Sequence, residues 1–192
     1  MADDIRITGK ELLSSNWSKL WKYSVEIKQK DGSIQKQERE VYDHGNGAAI
    51  LLYNQERGTV ILTRQFRLPS YVNGNGEGYL IEACAGLLDK DSPEDAIRRE
   101  AEEETGYRVH EVRKVFETYM SPGTLTELLY LFVAGYDDTM KVNEGGGLDS
   151  EQENIEVIEL PFADAVAMMA SGKIRDSKTI ILLQYALLNK LV

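Results

Sequence analysis

The chain has 192 residues, 42% hydrophobic and 28% charged with four prolines, a composition that excludes a disordered or fibrous protein. Lys and Arg number 22 against 32 Asp and Glu, a formal net charge of −10, so a polyanionic nucleic acid would meet net repulsion while small phosphate esters carried with a divalent metal remain compatible. One cysteine excludes a disulfide within the chain, and the lack of an apolar run of about 18 residues argues against a membrane-spanning helix.

The start, MADDIRITGK, is acidic and has no basic region followed by an apolar run, so the expected location is the reducing cytoplasm. Next, KLWKYSVEIK and SIQKQEREVY alternate as strands do, and Asp31-Gly32 between them predicts a hairpin with a two-residue turn. This small antiparallel β unit, residues 1–45, is too slight to stand alone and needs cover from the rest of the chain or a second subunit. Gly45-Asn46-Gly47 breaks the pattern and opens a second domain, residues 46–192. There, AAILLYNQERGTVILTRQF predicts two apolar strands joined by a turn at residues 56–58.

After the glycine loop NGNGEG, YLIEACAGLL predicts another strand, in which Cys84 reads as a buried core thiol rather than a nucleophile. Ser92-Pro93-Glu94 opens a helix that Gly106 should stop. EVRKVFETYM and LTELLYLFVAGY are strands flanking the turn Ser121-Pro122-Gly123. The loop KVNEGGGLDSEQEN leads to the strand IEVIEL and to helices near residues 162–170 and 178–190. Mixed strands and helices predict an α/β sandwich around a mixed sheet, preceded by the small β unit.

The helix carries REAEEETG, residues 99–106, with glutamates at 100, 102, 103 and 104. At 100° per residue, Glu100, Glu103 and Glu104 share one face while Glu102 points elsewhere. Like charges at these spacings destabilise a helix by about 0.2–0.5 kcal/mol per pair unless cations neutralise them. Those cations could be metal ions, or side chains through the i,i+4 pairs Asp95–Arg99, Arg98–Glu102 and Arg99–Glu103 of an ordinary solvated helix. Charge pattern alone leaves both readings open.

Quoted whole, AGLLDKDSPEDAIRREAEEETGY resembles the signature of the Nudix hydrolases. Arg99, Glu100, Ala101, Glu103, Glu104, Gly106 and Tyr107 fit its second half, whereas in the first half the family's glutamate falls on Asp91 and its glycine on Ala85, with Gly86 one place late. The resemblance implies that Glu100 and Glu104 bind magnesium, with manganese as the alternative, Glu103 beside them and the Ala85 carbonyl completing the cluster. A hard divalent cation prefers such oxygen ligands. Arg99 would orient the acids by salt bridges.

Asp149-Ser150-Glu151-Gln152-Glu153 forms a second acidic group, by itself an ordinary solvated loop. In the Nudix branch that cleaves nucleotide sugars, the matching loop implies Glu153 as a metal ligand and Glu151 as general base, with exchange of the two roles open. Ser121-Pro122-Gly123 marks the same branch. REVYDHGNGA, RQFR, LIEACAGLLD, YMSPG, GGG and IRDSKT resemble members acting on GDP-mannose more than those acting on ADP-ribose. By position, substrate contacts then fall on Trp17, Glu38, Arg39, Glu40, Arg67, Gly86, Leu87, Glu127 and Lys178. Arg39, Arg67 and Lys178 suit phosphate charge, Trp17 offers a face for stacking a base, and Glu127 suits sugar hydroxyls or a metal. Homodimers occur in this branch with the N-terminal sheet reaching the partner, so Trp17 and Arg39 would serve the other subunit's site.

The expected activity is thus magnesium-dependent splitting of GDP-mannose to GMP and mannose 1-phosphate. ADP-ribose or a wider range of nucleotide sugars is the alternative substrate class, and a catalytically silent nucleotide-binding module is the reading from a different class. His44 and His110 lack a ligand pattern, and neither GxSxG nor GK[ST] occurs.

Overall fold

Residues 4–148 and 153–192 are described by the structure, a computed structural model. Glu151 and its neighbours Asp149, Ser150 and Gln152 lie outside the described residues. Chain contacts divide the protein into two units, Met1–Asn46 with Tyr119–Leu128, and Gly47–Thr118 with Leu129–Val192.

The first unit is an antiparallel sheet of β1 (Ile5–Ser15), β2 (Lys19–Lys28) and β3 (Ile34–Asp43) in that spatial order. The expected hairpin is β2–β3, but its turn is longer than two residues. Gln29 N–H donates to the Ser33 carbonyl at 2.8 Å, and Gly32 takes φ +84° to close the loop Lys30-Asp31-Gly32. Asp31 stiffens that loop by accepting from the Ser33 amide and hydroxyl. The strand β1 was not foreseen, because register shifts between Ile7 and Gly9 and between Leu12 and Ser14 break its alternation. No residue of these three strands is buried. The Ser121-Pro122-Gly123 segment also does more than turn. It runs beside the end of β3, with Tyr42 N–H on the Thr124 carbonyl and Thr126 N–H on the Tyr42 carbonyl.

The second unit holds β4 (Gly47–Asn54), β5 (Thr59–Phe66), α1 (Leu68–Val72), β6 (Tyr79–Glu82), β7 (Cys84–Leu87), α2 (Pro93–Thr105), β8 (Arg113–Tyr119), β9 (Leu128–Gly135), β10 (Glu156–Pro161), α3 (Phe162–Ala170) and α4 (Ser177–Leu188). Its sheet runs β10-β5-β4-β9-β8, with β6 on β5 and β7 on β4. The β4–β9 pair is parallel while β4–β5, β5–β10, β5–β6 and β4–β7 are antiparallel, so the sheet is mixed as expected. Among the described residues, no helix is long and apolar enough to cross a membrane.

Two departures bear on the site. The run YLIEACAGLL is not one strand: it breaks at Ala83, so that Glu82 pairs with Thr63 of β5 while Ala85 pairs with Ala49 of β4. The short α1, started by Pro69, was also unforeseen.

Alternation along β4 organises the core. Ala48, Ile50 and Leu52 join Ile61, Cys84, Phe132 and the α2 residues Ile97 and Ala101 in one cluster. Ala49 and Leu51, equally buried, face the other side of the pleat, where α4 packs against β4 and buries Leu182, Leu183 and Ala186. Each fully buried Leu or Ile contributes about 1.5–3 kcal/mol, so the two helices are held firmly across β4. Helices on both faces of the sheet make the expected α/β sandwich.

Candidate functional site

Helix α2 starts where the Ser92 side chain accepts from the Asp95 amide at 3.2 Å and Pro93 enters the first turn. It ends at Gly106, φ +81°, whose amide caps Glu102. Glu103 and Glu104 therefore sit in the last turn, beside the negative end of the helix dipole, and that turn carries no basic residue. Two sources of negative charge meet there.

The basic partners of α2 differ from the simple i,i+4 set. Arg99–Glu103 forms, at 3.1 Å. Arg98 instead pairs with Asp95 at 2.9 Å, and Glu102 pairs with Arg108 at 2.7 Å beyond the helix, because Gly106 turns the chain back on itself. Arg99 also reaches Glu100 at 2.9 Å and Asp91 at 3.5 Å, so one guanidinium ties together three acids of the signature.

Glu104 is different: it is 1% exposed. Burial pushes its carboxyl up to about 8, Glu153 and Glu100 push the same way, and hydrogen bonds from Cys84 and the Ala85 amide only partly oppose them. The Ala85 N–H donates to its Oε2 at 3.3 Å. Cys84 is the buried thiol expected, raised by burial first and then by the nearby Glu104.

The glycine loop explains how Glu153 comes near. Val142 N–H donates to the Gly106 carbonyl, Gly146 N–H to Glu104 and Gly147 N–H to Glu103, satisfying the end of α2 with loop backbone. Side chains would not fit this approach: a Cβ on Gly145 would lie 2.4 Å from the Glu104 carbonyl oxygen. Beyond the loop, Glu153 Oε2 accepts from the Leu148 amide at 3.1 Å, and a Cβ on Gly147 would stand 2.4 Å from that oxygen. On the other side Gly86 passes as closely to Glu100, where a Cβ would meet the carboxyl carbon at 2.1 Å.

Glu100 and Glu153 are thus each close enough to Glu104 to act on it electrically, with the Ala85 amide on Glu104 and the backbone of Gly86 against Glu100. Oxygen donors, excess negative charge and backbone made bare by glycine fit a hard divalent cation. No group of three or more His, Cys, Asp or Glu side chains among the described residues gathers tightly enough to hold a metal by itself. Magnesium suits such a partial set, because it keeps several waters and shares substrate phosphate oxygens. A cleft of about 490 Å³ opens beside Arg99, Glu103, Asn143, Gly147 and Leu148. A larger cleft, about 870 Å³, lies past Asn54 and Tyr136 at the far ends of β4 and β9 and contains none of these acids, so size does not mark the site.

Arg67 and Lys178 also lie in this unit, and both are already paired. Arg67 forks onto Glu82 through Nε at 2.8 Å and Nη2 at 3.1 Å, and Lys178 binds the same carboxylate and Asp176. Glu82 is 2% exposed; burial pushes its carboxyl up, but Lys178 and Arg67 outweigh that and hold it at about 2. Glu82 was missed in the sequence. A lone acid inside the apolar run LIEACAGLL was the available signal, since a charge is buried only with partners.

Trp17, Glu38, Arg39, Glu40 and Glu127 belong to the first unit. Trp17 is 80% exposed and stacks on His44 at 6.2 Å between ring centres. Glu38 pairs with Lys22 at 2.9 Å, and Glu38 and Glu40 share one face of β3 with Arg39 on the other.

The chain matches known proteins along nearly its whole length. The NUDIX domain profile matches residues 43–182, and the profile of the GDP-mannose pyrophosphatase NudK N-terminal domain matches residues 4–42. A GDP-mannose pyrophosphatase of Pectobacterium atrosepticum is 58% identical over 188 residues, 98% of this chain and 96% of that protein. One from Yersinia pestis is 61% identical over 176 residues, 92% of this chain and 88% of that protein. One from Yersinia enterocolitica is 58% identical over 182 residues, 95% and 94% of the two chains.

Proposed function

The chain belongs to the Nudix hydrolase family, and on that premise we propose that it splits the diphosphate of GDP-mannose with water, giving GMP and mannose 1-phosphate. The observation that carries this reading is the approach of Glu100 and Glu153 to the buried Glu104, with the Ala85 amide on Glu104 and Gly86 against Glu100. The GDP-mannose pyrophosphatases that match it over most of its length support the substrate.

Magnesium, or manganese in its place, would be held by Glu100, Glu104, Glu153 and the Ala85 carbonyl, where it supplies polarisation of a phosphoryl oxygen and acidification of water. The chain's own groups do the rest. Arg99 holds Glu100 and Glu103 in place. Glu151 is the general base that takes the proton from the attacking water, with Glu153 the residue that would exchange roles with it. Arg67 and Lys178 face the diphosphate charge, Gly86 and Leu87 let backbone approach it, and Arg39 and Trp17 serve the other subunit's site, Arg39 toward phosphate and Trp17 by stacking on the base. Glu38, Glu40 and Glu127 take the polar groups of the nucleotide sugar.

Residues 1–45 serve as the dimerisation and substrate-contact domain of a cytoplasmic homodimer, and residues 46–192 as the hydrolase domain. Support comes from β1–β3, which buries no residue while Ile5, Ile7 and Ile34 stand more than half exposed. Such a sheet needs an apolar cover.

The test is product chromatography with GDP-mannose and, separately, ADP-ribose, each with magnesium and with chelator. Chelator-sensitive release of GMP and mannose 1-phosphate, abolished in a folded Glu104→Gln variant, is expected. Faster cleavage of ADP-ribose would overturn the substrate, and full turnover by that variant would overturn the site. Light scattering behind size exclusion should give twice the chain mass; a monomer would remove the dimer.

A further inference from the structure

Two distant segments converge on the Glu82 carboxylate. Arg67, just past β5, forks onto both of its oxygens, at 2.8 and 3.1 Å. Lys178, in the first turn of α4, reaches Oε2 of the same group and also Asp176 at 3.0 Å. Asp176 in turn caps α4 by accepting from the Thr179 amide and hydroxyl, and the Thr179 hydroxyl accepts from the Ala83 amide at 2.7 Å, the residue next to Glu82. The assembly is closed and charge-balanced, two cations against two acids.

Such a clamp is more than a means of burying an acid. An apolar residue in β6 would fill the same space without the cost of removing a charge from water. What the carboxylate adds is position. Lys and Arg are the side chains with the most rotamer freedom to lose, so a cation already fixed before its ligand arrives binds with less entropic cost. The fork uses Nε and Nη2 of Arg67 and leaves Nη1 on the other edge of a side chain that is 40% exposed, whereas the Glu82 side chain is 2% exposed and cannot meet a ligand.

We propose that Glu82 is a positioning residue for the substrate: it fixes Arg67 and Lys178 side by side as one station of N–H donors for the diphosphate, without touching it. This rests on the reading above that Arg67 and Lys178 meet the diphosphate. Two residues, Ala83 and Cys84, separate Glu82 from Ala85, and the break at Ala83 sends the two onto different strands. The station and the acidic pocket therefore share one short segment, residues 82–86.

The experiment compares wild type with Glu82→Asp, Arg67→Ala, Arg67→Lys and Lys178→Met. Measured are kcat and KM for GDP-mannose with magnesium, its dissociation constant by calorimetry in chelator, and thermal stability. Arg67→Ala and Lys178→Met should weaken binding. Glu82→Asp keeps the charge but shortens its reach by one methylene, and should raise KM and the dissociation constant about tenfold while kcat stays within threefold. Arg67→Lys keeps its charge but loses the fork, and should give the same tenfold rise even if Glu82→Asp does not fold. Wild-type binding by Glu82→Asp and Arg67→Lys, with weak binding by Arg67→Ala and Lys178→Met, overturns the positioning role alone. Wild-type binding by Arg67→Ala and Lys178→Met overturns the reading on which it rests. A fall in stability with KM and the dissociation constant unchanged makes Glu82 structural only and also overturns the proposal.

Discussion

The backbone of Gly86 runs so close to Glu100 that a methyl group on Gly86 would stand 2.1 Å from the Glu100 carboxyl carbon. The acid cannot stay where it is if the glycine acquires a side chain. Gly86→Ala should therefore keep the fold, because the Glu100 side chain gives way before the backbone does, while turnover falls about 100-fold or more through misplacement of a reacting group. Circular dichroism and the steady-state rate check this together; near-normal turnover would mean that the Glu100 position is not needed.

The same logic applies across the pocket at Gly147. Its φ is +80° and a Cβ there would lie 2.4 Å from Glu153 Oε2, so Gly147→Ala is strained in both backbone and contact. The variant should lose about 1–2 kcal/mol of stability and need several times more magnesium for half-maximal rate. A denaturant titration and a metal titration measure the two effects. An unchanged metal requirement would detach Glu153 from the site.

Thr179 is fully buried and its hydroxyl bonds the Ala83 amide on one side and Asp176 on the other. Thr179→Val preserves shape but leaves the amide without its acceptor. Stability should drop by about 1–3 kcal/mol, the cost of an unmade buried hydrogen bond. Thermal unfolding reads it directly, and a drop of a few tenths would mean that the α4 latch is unimportant.

Acid should act through Glu82. Its folded carboxyl titrates at about 2, against roughly 4.3 for an unfolded glutamate. The stabilisation is therefore complete above about pH 5 and is lost as pH falls toward 2, on the order of 3 kcal/mol in all. Unfolding free energies of wild type and Glu82→Gln should accordingly differ most near neutrality and converge in acid. A constant gap across that window would show that the ionised carboxylate is not what the clamp relies on.

Much of this molecule was legible along the chain because local rules decide it. Helix α2 begins at Ser92-Pro93 and ends at Gly106 because capping and proline chemistry act within one turn. Its crowded acids announced a need for cations through spacing alone, and the Nudix signature assigned the chemistry. The core strands β4 and β5 followed from apolar content, and the turn between them from residues 56–58.

The remainder depended on contacts between segments far apart in sequence. No local pattern could tell that YLIEACAGLL breaks at Ala83, since the break is set by which neighbour, β5 or β4, each half pairs with. Nor could it reveal that the glycine loop caps the end of α2, or that Arg67 and Lys178 are already engaged by a buried Glu82. Spacing along a helix or strand fixes which residues share a face, so the sequence by itself determined the acidic face, the apolar strands and the family. Charge neutralisation and close backbone approach are satisfied only in three dimensions, and for that reason tertiary structure alone decided which carboxylates meet, which cations are held and by what.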